Sequence, residues 1–234
     1  MTFLSPLPPP IQRKSLGDQV YDTIRESIVS LRVEPGSMIY ENELAELLNV
    51  SRTPVREAIR LLVSEQLLDV LPQRGTRIAF ISERKVNESR FIREHLELGA
   101  FRLAAKLWNQ EAHAEVSRTV HSLIERQEQA CAEQRVELFL QLDEAYHRAI
   151  LEVTGNLTLL QVVNQMRGHL NRVRFLALKQ FHYMNDVIEE HRGLIEALEQ
   201  GDEQRTVQRL AQHIGKLDHE LPELRKAYPH YFVN

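Results

Sequence analysis

The sequence predicts a mostly helical protein in two parts, with three helices and a small β-hairpin followed by an all-helical bundle of six or seven helices. In the first part, over residues 16–82, apolar residues recur at helical spacing in three segments and then form two short strand-like runs. In the second part, strand-like alternation is absent and no proline occurs between Pro72 and Pro222. Short turns between long helical segments are typical of a bundle.

Four segments follow from the distribution of prolines and apolar residues. Residues 1–15 contain four prolines and predict a flexible N-terminal arm, because proline lacks a backbone donor and resists regular structure. Residues 16–82 form the first domain, residues 83–226 form the helical domain, and residues 227–234 form a C-terminal tail.

The composition is that of a soluble globular protein. Of the 234 residues, 43% are hydrophobic and 26% are charged, and no apolar run approaches the roughly 18 residues that a membrane span needs. We therefore expect a cytoplasmic protein without a membrane partner. The single cysteine, Cys131, cannot form an intrachain disulfide, which agrees with a reducing compartment. The net charge of −4 indicates that any contact with nucleic acid depends on locally placed arginines.

The first domain is predicted to contain three helices and two strands. Asp18 is the expected N-cap of the first helix, and Ser51 or Thr53 is the expected N-cap of the third. The order helix, turn, short helix, turn, helix, hairpin is that of a winged helix-turn-helix. The predicted bounds are 18–31, 41–48 and 52–66 for the helices and 67–71 and 76–81 for the strands.

A stripe of arginines on the third helix is the candidate DNA-contacting surface. Arg52, Arg56 and Arg60 are spaced four residues apart and share one helix face, and arginine can bind guanine edges or phosphates through two hydrogen bonds. Such a stripe is often only a solvated helix face, but here it follows a helix-turn-helix pattern and precedes a hairpin with a basic tip. The predicted DNA-binding residues are Arg52, Thr53, Arg56, Arg60, Arg74 and Gly75.

The first domain resembles the GntR family of bacterial transcription repressors. The resemblance lies in residues 44–60, which read LAELLNVSRTPVREAIR, in Pro35-Gly36 and in Gln73-Arg74-Gly75-Thr76. It implies that Arg52, Thr53 and Arg56 contact DNA and that Gly75 lies at the tip of the wing. Some members have a further DNA-contacting arginine where this chain has Asn42.

The second domain contains one carboxylate and three histidines at spacings that predict a metal site. Asp143 and His147 are four residues apart, so they share one helix face. His191 and His213 flank the break at Gly201 and lie about 15 and 18 Å from it if both segments are helical, which places them at nearly the same height. Such a set can bind zinc, nickel, iron or manganese. The predicted helices span 84–107, 112–131, 135–153, 157–181, 185–199 and 203–220.

The second domain also resembles the FCD effector domain of GntR regulators, in the subtype that binds a metal. The resemblance rests on the segments Arg93-Glu94-His95-Leu96-Glu97, Asp143-Glu144-Ala145-Tyr146-His147, Thr154-Gly155-Asn156, Glu190-His191-Arg192, Gly201-Asp202 and His213-Ile214. It implies that the Asp and three His hold a metal that helps to bind a small organic acid. Of four arginines expected near the cavity, Arg93 and Arg172 are the predicted effector-binding residues, and Arg148 and Arg174 are further candidates.

The combined reading predicts a transcription regulator, expected to be a repressor, and not an enzyme. Its expected partners are double-stranded operator DNA, a small carboxylic acid, a divalent metal ion with zinc foremost, and a second copy of the chain, since one winged domain covers only a few base pairs. One alternative is a metal-responsive regulator in which the ion itself is the effector. The other is a metal-dependent hydrolase, which is disfavoured because no motif places a general base.

Overall fold

The computed structural model describes residues 15–233, and its elements follow the predicted order. The predicted arm over residues 1–15 lies outside the described residues, except for Ser15. The first domain contains α1 Leu16–Val29, β1 Met38–Ile39, α2 Glu41–Leu47, α3 Arg52–Ser64, β2 Leu68–Leu71 and β3 Gly75–Ile78. The second contains α4 Glu83–Leu107, α5 Ala114–Ala132, α6 Val136–Glu152, α7 Leu157–Phe181, α8 Met184–Glu199, α9 Glu203–Gly215 and α10 Leu217–Ala227, then the 3₁₀ turn Pro229–Tyr231.

The first domain is a winged helix-turn-helix whose core lies between α1 and α3. Ile28, Val55 and Leu62 are fully buried there, and the spacing of apolar residues at i, i+3 and i+4 explains why one face of each helix is covered. The sheet has the order β1-β3-β2 and is antiparallel, with Leu68 opposite Ile78. Strand β1 was not predicted because two residues are too few to show alternation.

The first helix begins earlier than the sequence predicts. Its N-cap is Ser15, whose side chain accepts a hydrogen bond from the Asp18 backbone N–H, while the Asp18 carboxylate accepts from the Ser15 backbone. This is a capping box, in which Asp18 is the third helical residue. The expectation that Asp18 is the N-cap is therefore wrong by three residues. At α3 the N-cap is Ser51.

Within residues 15–233 the bundle has seven helices, because the predicted last helix is divided in two. Helix α9 ends at Gly215 and α10 begins at Leu217, and Lys216 between them keeps helical backbone angles of φ −56° and ψ −38°. The apolar residues Leu217, Leu221 and Leu224 of α10 are buried against α7 rather than continuing along α9. Periodicity continues across Lys216, so the sequence pattern could not reveal the division.

The predicted C-terminal tail packs against the junction between the two domains. Phe232 is buried and pairs in parallel with Ile81, which precedes Ser82, the N-cap of α4. The two domains also contact each other through α7, where His169 Nε2 donates to the Glu65 carbonyl at 2.8 Å. In the described part of the chain, no helix has both the length and the apolar character that crossing a membrane requires.

Candidate metal centre and nucleic-acid interface

Four side chains from three helices of the bundle converge in its interior. Asp143 and His147 come from α6, His191 from α8 and His213 from α9, and one ligand atom from each lies within 4.8 Å of the others. His147 Nε2 is 3.1 Å from His213 Nε2, and His191 Nε2 is 3.5 Å from Asp143 Oδ1. The structure thus brings together the four residues that the sequence spacing selected.

The opposite nitrogen of each imidazole lies 2.9 Å from a side-chain oxygen. Gln127 accepts a hydrogen bond from His191 Nδ1 and Glu190 accepts one from His213 Nδ1, so Nε2 of these two rings presents a lone pair to the centre of the cluster. Partners of this kind fix the orientation of histidines that bind metals. Glu97 Oε2 lies at ion-pair distance from His147 Nδ1 without the geometry of a hydrogen bond.

The protonation of the cluster favours binding of a cation. Burial alone raises the pKa of Asp143, but Arg174 and the three histidines hold it well below its ordinary value. Arg174 Nη2 is 2.7 Å from Asp143 Oδ2. Burial lowers the pKa of His147 to about 4 and that of His191 well below its ordinary value. A carboxylate and neutral imidazoles are the forms that coordinate a metal.

The distances and the unpaired atoms fit a divalent ion. Asp143 Oδ1 and His191 Nε2 are buried without a hydrogen-bond partner, which is uncommon for buried polar atoms. The Nε2 atoms of His147 and His213 lie 3.1 Å apart, close enough to share a proton or to bind one cation together. Two ligands of one zinc ion, each about 2.0–2.1 Å from it, lie roughly 3.3 Å apart in a tetrahedral site.

A small cavity lined by cations adjoins the cluster. Its volume is about 40 Å³, enough for a few water molecules. Arg93 lines the cavity as predicted and forms an ion pair with Glu97, with Nε 2.8 Å from Oε1. The basic residues around the cavity are Arg90, Arg93, Arg174 and Lys216.

Arg172 lies elsewhere, so the prediction that it faces the effector cavity is corrected. Its side chain is fully buried between the two domains, where Nη1 donates to the Ala79 carbonyl at 2.6 Å and Nη2 lies 3.2 Å from His169 Nδ1. Residues two apart on a helix point about 200° apart. Arg174, two positions later, therefore faces the cluster while Arg172 faces the first domain.

The predicted DNA-contacting residues lie on one exposed part of the first domain. Arg56 Nε is held 2.7 Å from Glu41 Oε2, so α2 fixes its side chain. Gly75 has a φ of +108°, a conformation that favours glycine at the tip of the hairpin. The exposed residues on α3 are Arg52, Thr53, Arg56 and Arg60, and those on the hairpin are Arg74 and Gly75.

Comparison with known proteins identifies the two domains. Residues 16–78 match the family described as bacterial regulatory proteins, gntR family, and residues 88–216 match the FCD domain. The chain belongs to the GntR family. Since this family consists of transcriptional regulators, the GntR protein described here is a regulator and not an enzyme. Its first domain carries the DNA-binding function, and its FCD domain is of the kind that binds small-molecule effectors.

Curated relatives and a solved structure agree with this assignment. The GntR protein is 30% identical over 215 residues to an HTH-type transcriptional regulator in an unstable DNA locus of Streptomyces ambofaciens, covering 92% of this chain and 88% of the relative. It is 30% identical over 204 residues to a probable D-xylose utilization operon transcriptional repressor of Paenarthrobacter nicotinovorans, covering 87% and 88%. The structure of E. coli McbR/YncC superposes with a TM-score of 0.78 at 25% identity, covering 92% and 100%.

Several contacts of the GntR protein's cluster were not predicted. Gln127 and Glu190 had no spacing that distinguished them from surface residues, although Glu190 immediately precedes His191. Tyr146 stacks on the His191 ring with centroids 4.0 Å apart and donates to the His191 carbonyl at 2.9 Å.

Proposed function

We propose that this GntR regulator is a repressor whose affinity for operator DNA is controlled by a small organic acid bound at a divalent metal ion. The observation that best supports the proposal is the convergence of three buried histidines and Asp143 within 4.8 Å, with Nδ1 of His191 and of His213 hydrogen-bonded to a side-chain oxygen. The cation-lined cavity beside His213 supports an acidic effector.

The metal would be held by Asp143, His147, His191 and His213, with zinc the first candidate and nickel, iron and manganese the others. When bound, the ion would supply a Lewis-acidic position for an oxygen of the effector. Arg174 pairs with Asp143 Oδ2 and leaves Oδ1 directed at the cluster. The Asp143 carboxylate could therefore pair with Arg174 through Oδ2 and bind the metal through Oδ1.

Arg93 and Arg174 are the proposed contacts for the acid, with Arg174 replacing the predicted Arg172. Both line the cavity, and both already pair with a carboxylate of the protein. An acid in the cavity would share these arginines with Asp143 and Glu97, since a guanidinium has five N–H donors and can bind two carboxylates. Since the cavity holds only a few waters, the ligand must also move the walls.

The proposed DNA contacts are Arg52, Thr53, Arg56 and Arg60 on α3, with Arg74 and Gly75 on the hairpin. The exposure of these residues and the beginning of α3 at Arg52 support this assignment. The N-terminal part of a recognition helix usually meets base edges, while a wing contacts the backbone or the minor groove. Arg56 also forms an exposed ion pair with Glu41 of α2.

A homodimer is proposed through an exposed apolar stripe on α4. Ile92, Leu103 and Leu107 are 36%, 42% and 47% exposed and lie on one face, which Gly99 shares. A side chain at Gly99 would meet no neighbouring atom of its own chain. Two antiparallel copies crossing at Gly99 would bury this face in both chains alike, as a two-fold contact requires.

The metal-responsive alternative is favoured by one observation, namely that the cluster joins three different helices. An ion at this position would tie α6, α8 and α9 together without any organic ligand. Operator binding titrated with Zn²⁺ alone, and then with Zn²⁺ plus each acid of a panel, separates the two proposals.

A thermal-shift screen of small carboxylic acids against the zinc-loaded protein tests the proposed function. An effector at 100 times its dissociation constant adds about 2.7 kcal/mol, which raises Tm by roughly 5–11 °C for a chain of this size. The matched variants are His191→Ala, which should lose the response, and His182→Ala, an exposed histidine outside the cluster, which should keep it. An equal response in both variants would remove the cluster from the effector site.

A further inference from the structure

The linker that joins the two domains is held from two sides. Residues 79–81 connect β3 to α4, and the Ala79 carbonyl accepts a hydrogen bond from Arg172 of α7 at 2.6 Å. On the other side, the Ile81 N–H donates to the Tyr231 carbonyl at 2.8 Å, and the Ile81 carbonyl accepts from the Val233 N–H at 3.0 Å. The linker therefore lies between α7 and the C-terminal segment, residues 228–233.

Helix α7 and the C-terminal segment are both connected to the metal cluster. Helix α7 carries Arg174, which pairs with Asp143, only two residues from Arg172. The other route begins at His213 on α9, passes Lys216, and continues along α10 to the C-terminal segment. The buried apolar residues that pack this second route against the linker are Leu217, Leu221, Leu224, Phe232 and Ile81.

The cation-lined cavity lies between these two routes. Its α7 wall includes Leu170 and Leu178, and its opposite wall includes Ile214, Leu217 and Glu220 of α9 and α10. The volume of about 40 Å³ is smaller than an organic acid of several carbon atoms needs. Because protein interiors are densely packed, a ligand larger than the cavity displaces wall side chains and presses on α7 and α10.

The surroundings of Arg172 favour breaking its hydrogen bond to the Ala79 carbonyl of the linker. Its side chain is fully buried, its two partners are the Ala79 carbonyl and the neutral His169 ring, and its Nε has no hydrogen bond. Among the described residues, no carboxylate pairs directly with it. Burial lowers the pKa of Arg172 to about 10, and the charge of Asp69 offsets this only in part. Hydration of Arg172 after a small separation of the domains therefore favours the open state.

We propose that α7 and the C-terminal segment form a linker clamp, and that occupation of the cavity spreads the clamp and frees residues 79–81. Release of the linker lets the DNA-reading domain change its orientation relative to the bundle. Tyr231, whose hydroxyl donates to Glu34 of that domain at 3.0 Å, would lose this contact in the same movement. The assignment of the cavity as the effector site rests on the proposed function, but the clamp can be tested without an identified effector.

The first test measures amide hydrogen exchange in the full chain with Zn²⁺ alone as the probe. Because the cluster joins both routes, Zn²⁺ should slow exchange at Ile81 and Val233 by at least ~10-fold, beyond its effect on Ile28 in the core of the first domain. In Arg172→Met and in Phe232→Ala, zinc should bind with unchanged stoichiometry while this additional slowing falls below ~3-fold. Full slowing in both variants would overturn the clamp.

The second test replaces the effector by a bulkier wall residue. Val187 of α8 lines the cavity, so Val187→Phe should spread α7 and α10 and raise exchange at Ile81 by at least ~10-fold. Val120→Phe, an equal enlargement of a buried residue on α5 outside the cavity lining, is the control for general loosening. Equal acceleration at Ile81 in the two variants, or none in Val187→Phe, would overturn the clamp.

The two tests fail in distinguishable ways. If the wild-type protein binds no zinc, the metal part of the proposed function is wrong and the pair Val187→Phe and Val120→Phe alone decides on the clamp. If zinc binds but leaves exchange at Ile81 unchanged, the metal proposal stands and the clamp is wrong.

Discussion

Replacing Glu97 by glutamine removes one negative charge from the interior of the bundle while keeping the shape of the side chain. Glu97 is fully buried, lies 2.9 Å from His147 Nδ1 and pairs with Arg93 at 2.8 Å. Arg167 lies 3.7 Å away, and both arginines are also buried. Burial alone raises the pKa of Glu97, but Arg93, His147 and Arg167 hold it well below its ordinary value.

The magnitude follows from these contacts. Removal of one partner of a buried ion pair typically costs about 3–5 kcal/mol because the remaining charge is left uncompensated. For a chain of this size, Tm should fall by roughly 6–20 °C. The orientation of His147 is weakened as well, and loss of such a partner typically lowers metal affinity about 10–100-fold.

Calorimetric unfolding without metal and a zinc titration against a competing chelator measure the two effects of Glu97→Gln separately. Glu94→Gln is the matched control, because Glu94 lies on the same helix, is partly exposed and is 3.8 Å from Arg90. The control should change stability by no more than about 0.5 kcal/mol. If Glu97→Gln changes neither Tm nor the zinc dissociation constant more than the control does, the assigned roles of Glu97 are wrong.

Three further predictions concern DNA, pH and assembly. Arg52→Ala should weaken operator binding by about 1–3 kcal/mol in a fluorescence-anisotropy titration if a guanine contact is lost, whereas Arg74→Ala should weaken binding evenly across DNA sequences. Burial lowers the pKa of His169 to about 4, below its unfolded value of about 6.5, so its contribution to stability is present above pH 6.5 and is lost as pH falls towards 4. Leu103→Glu should convert a dimer of about twice 27.2 kDa into monomers in light scattering.

Each of these predictions has its own contradicting outcome. Unchanged operator affinity in Arg52→Ala would mean that α3 is not the DNA-reading helix. In His169→Gln, the free energy of unfolding should fall less between pH 6.5 and pH 4 than it does in the wild type. An identical decrease in wild type and variant would remove His169 as a cause. Lys106→Glu, an exposed change near the end of the same helix, is the control for Leu103→Glu, and monomers in the wild type would end the dimer proposal.

Local patterns predicted the elements where caps and periodicity agree. The bounds of α7, Leu157–Phe181, match the predicted 157–181, because Gly155-Asn156 marks the start and Asn156 caps the helix by accepting from the Leu159 N–H. The division at Lys216 was missed because apolar spacing continues through it. The pairing of the tail with Ile81 was also missed, since a single residue pair far apart in the chain leaves no periodic trace.

The four residues of the cluster could be selected from the sequence because the fixed rise per residue of a helix gives the distance of each residue along the helix axis. His191 and His213 lie at similar distances from the turn at Gly201, so an antiparallel hairpin brings them together. The choice between Arg172 and Arg174 needed the rotational phase of α7, which depends on which face the first domain covers. Contacts between the two domains determine which face of α7 is covered, and the apolar periodicity within either domain does not reveal these contacts.

The most direct test of the central proposal is isothermal titration calorimetry of an acid selected by the thermal-shift screen, with and without operator DNA, on the zinc-loaded protein. Linkage requires that operator change the acid's dissociation constant by the same factor by which the acid changes the operator's. We predict a reciprocal factor of about 5–150, corresponding to a coupling of roughly 1–3 kcal/mol, and its loss in His191→Ala. An acid that binds the zinc-loaded protein with identical affinity in both titrations would contradict control of DNA binding through this cluster.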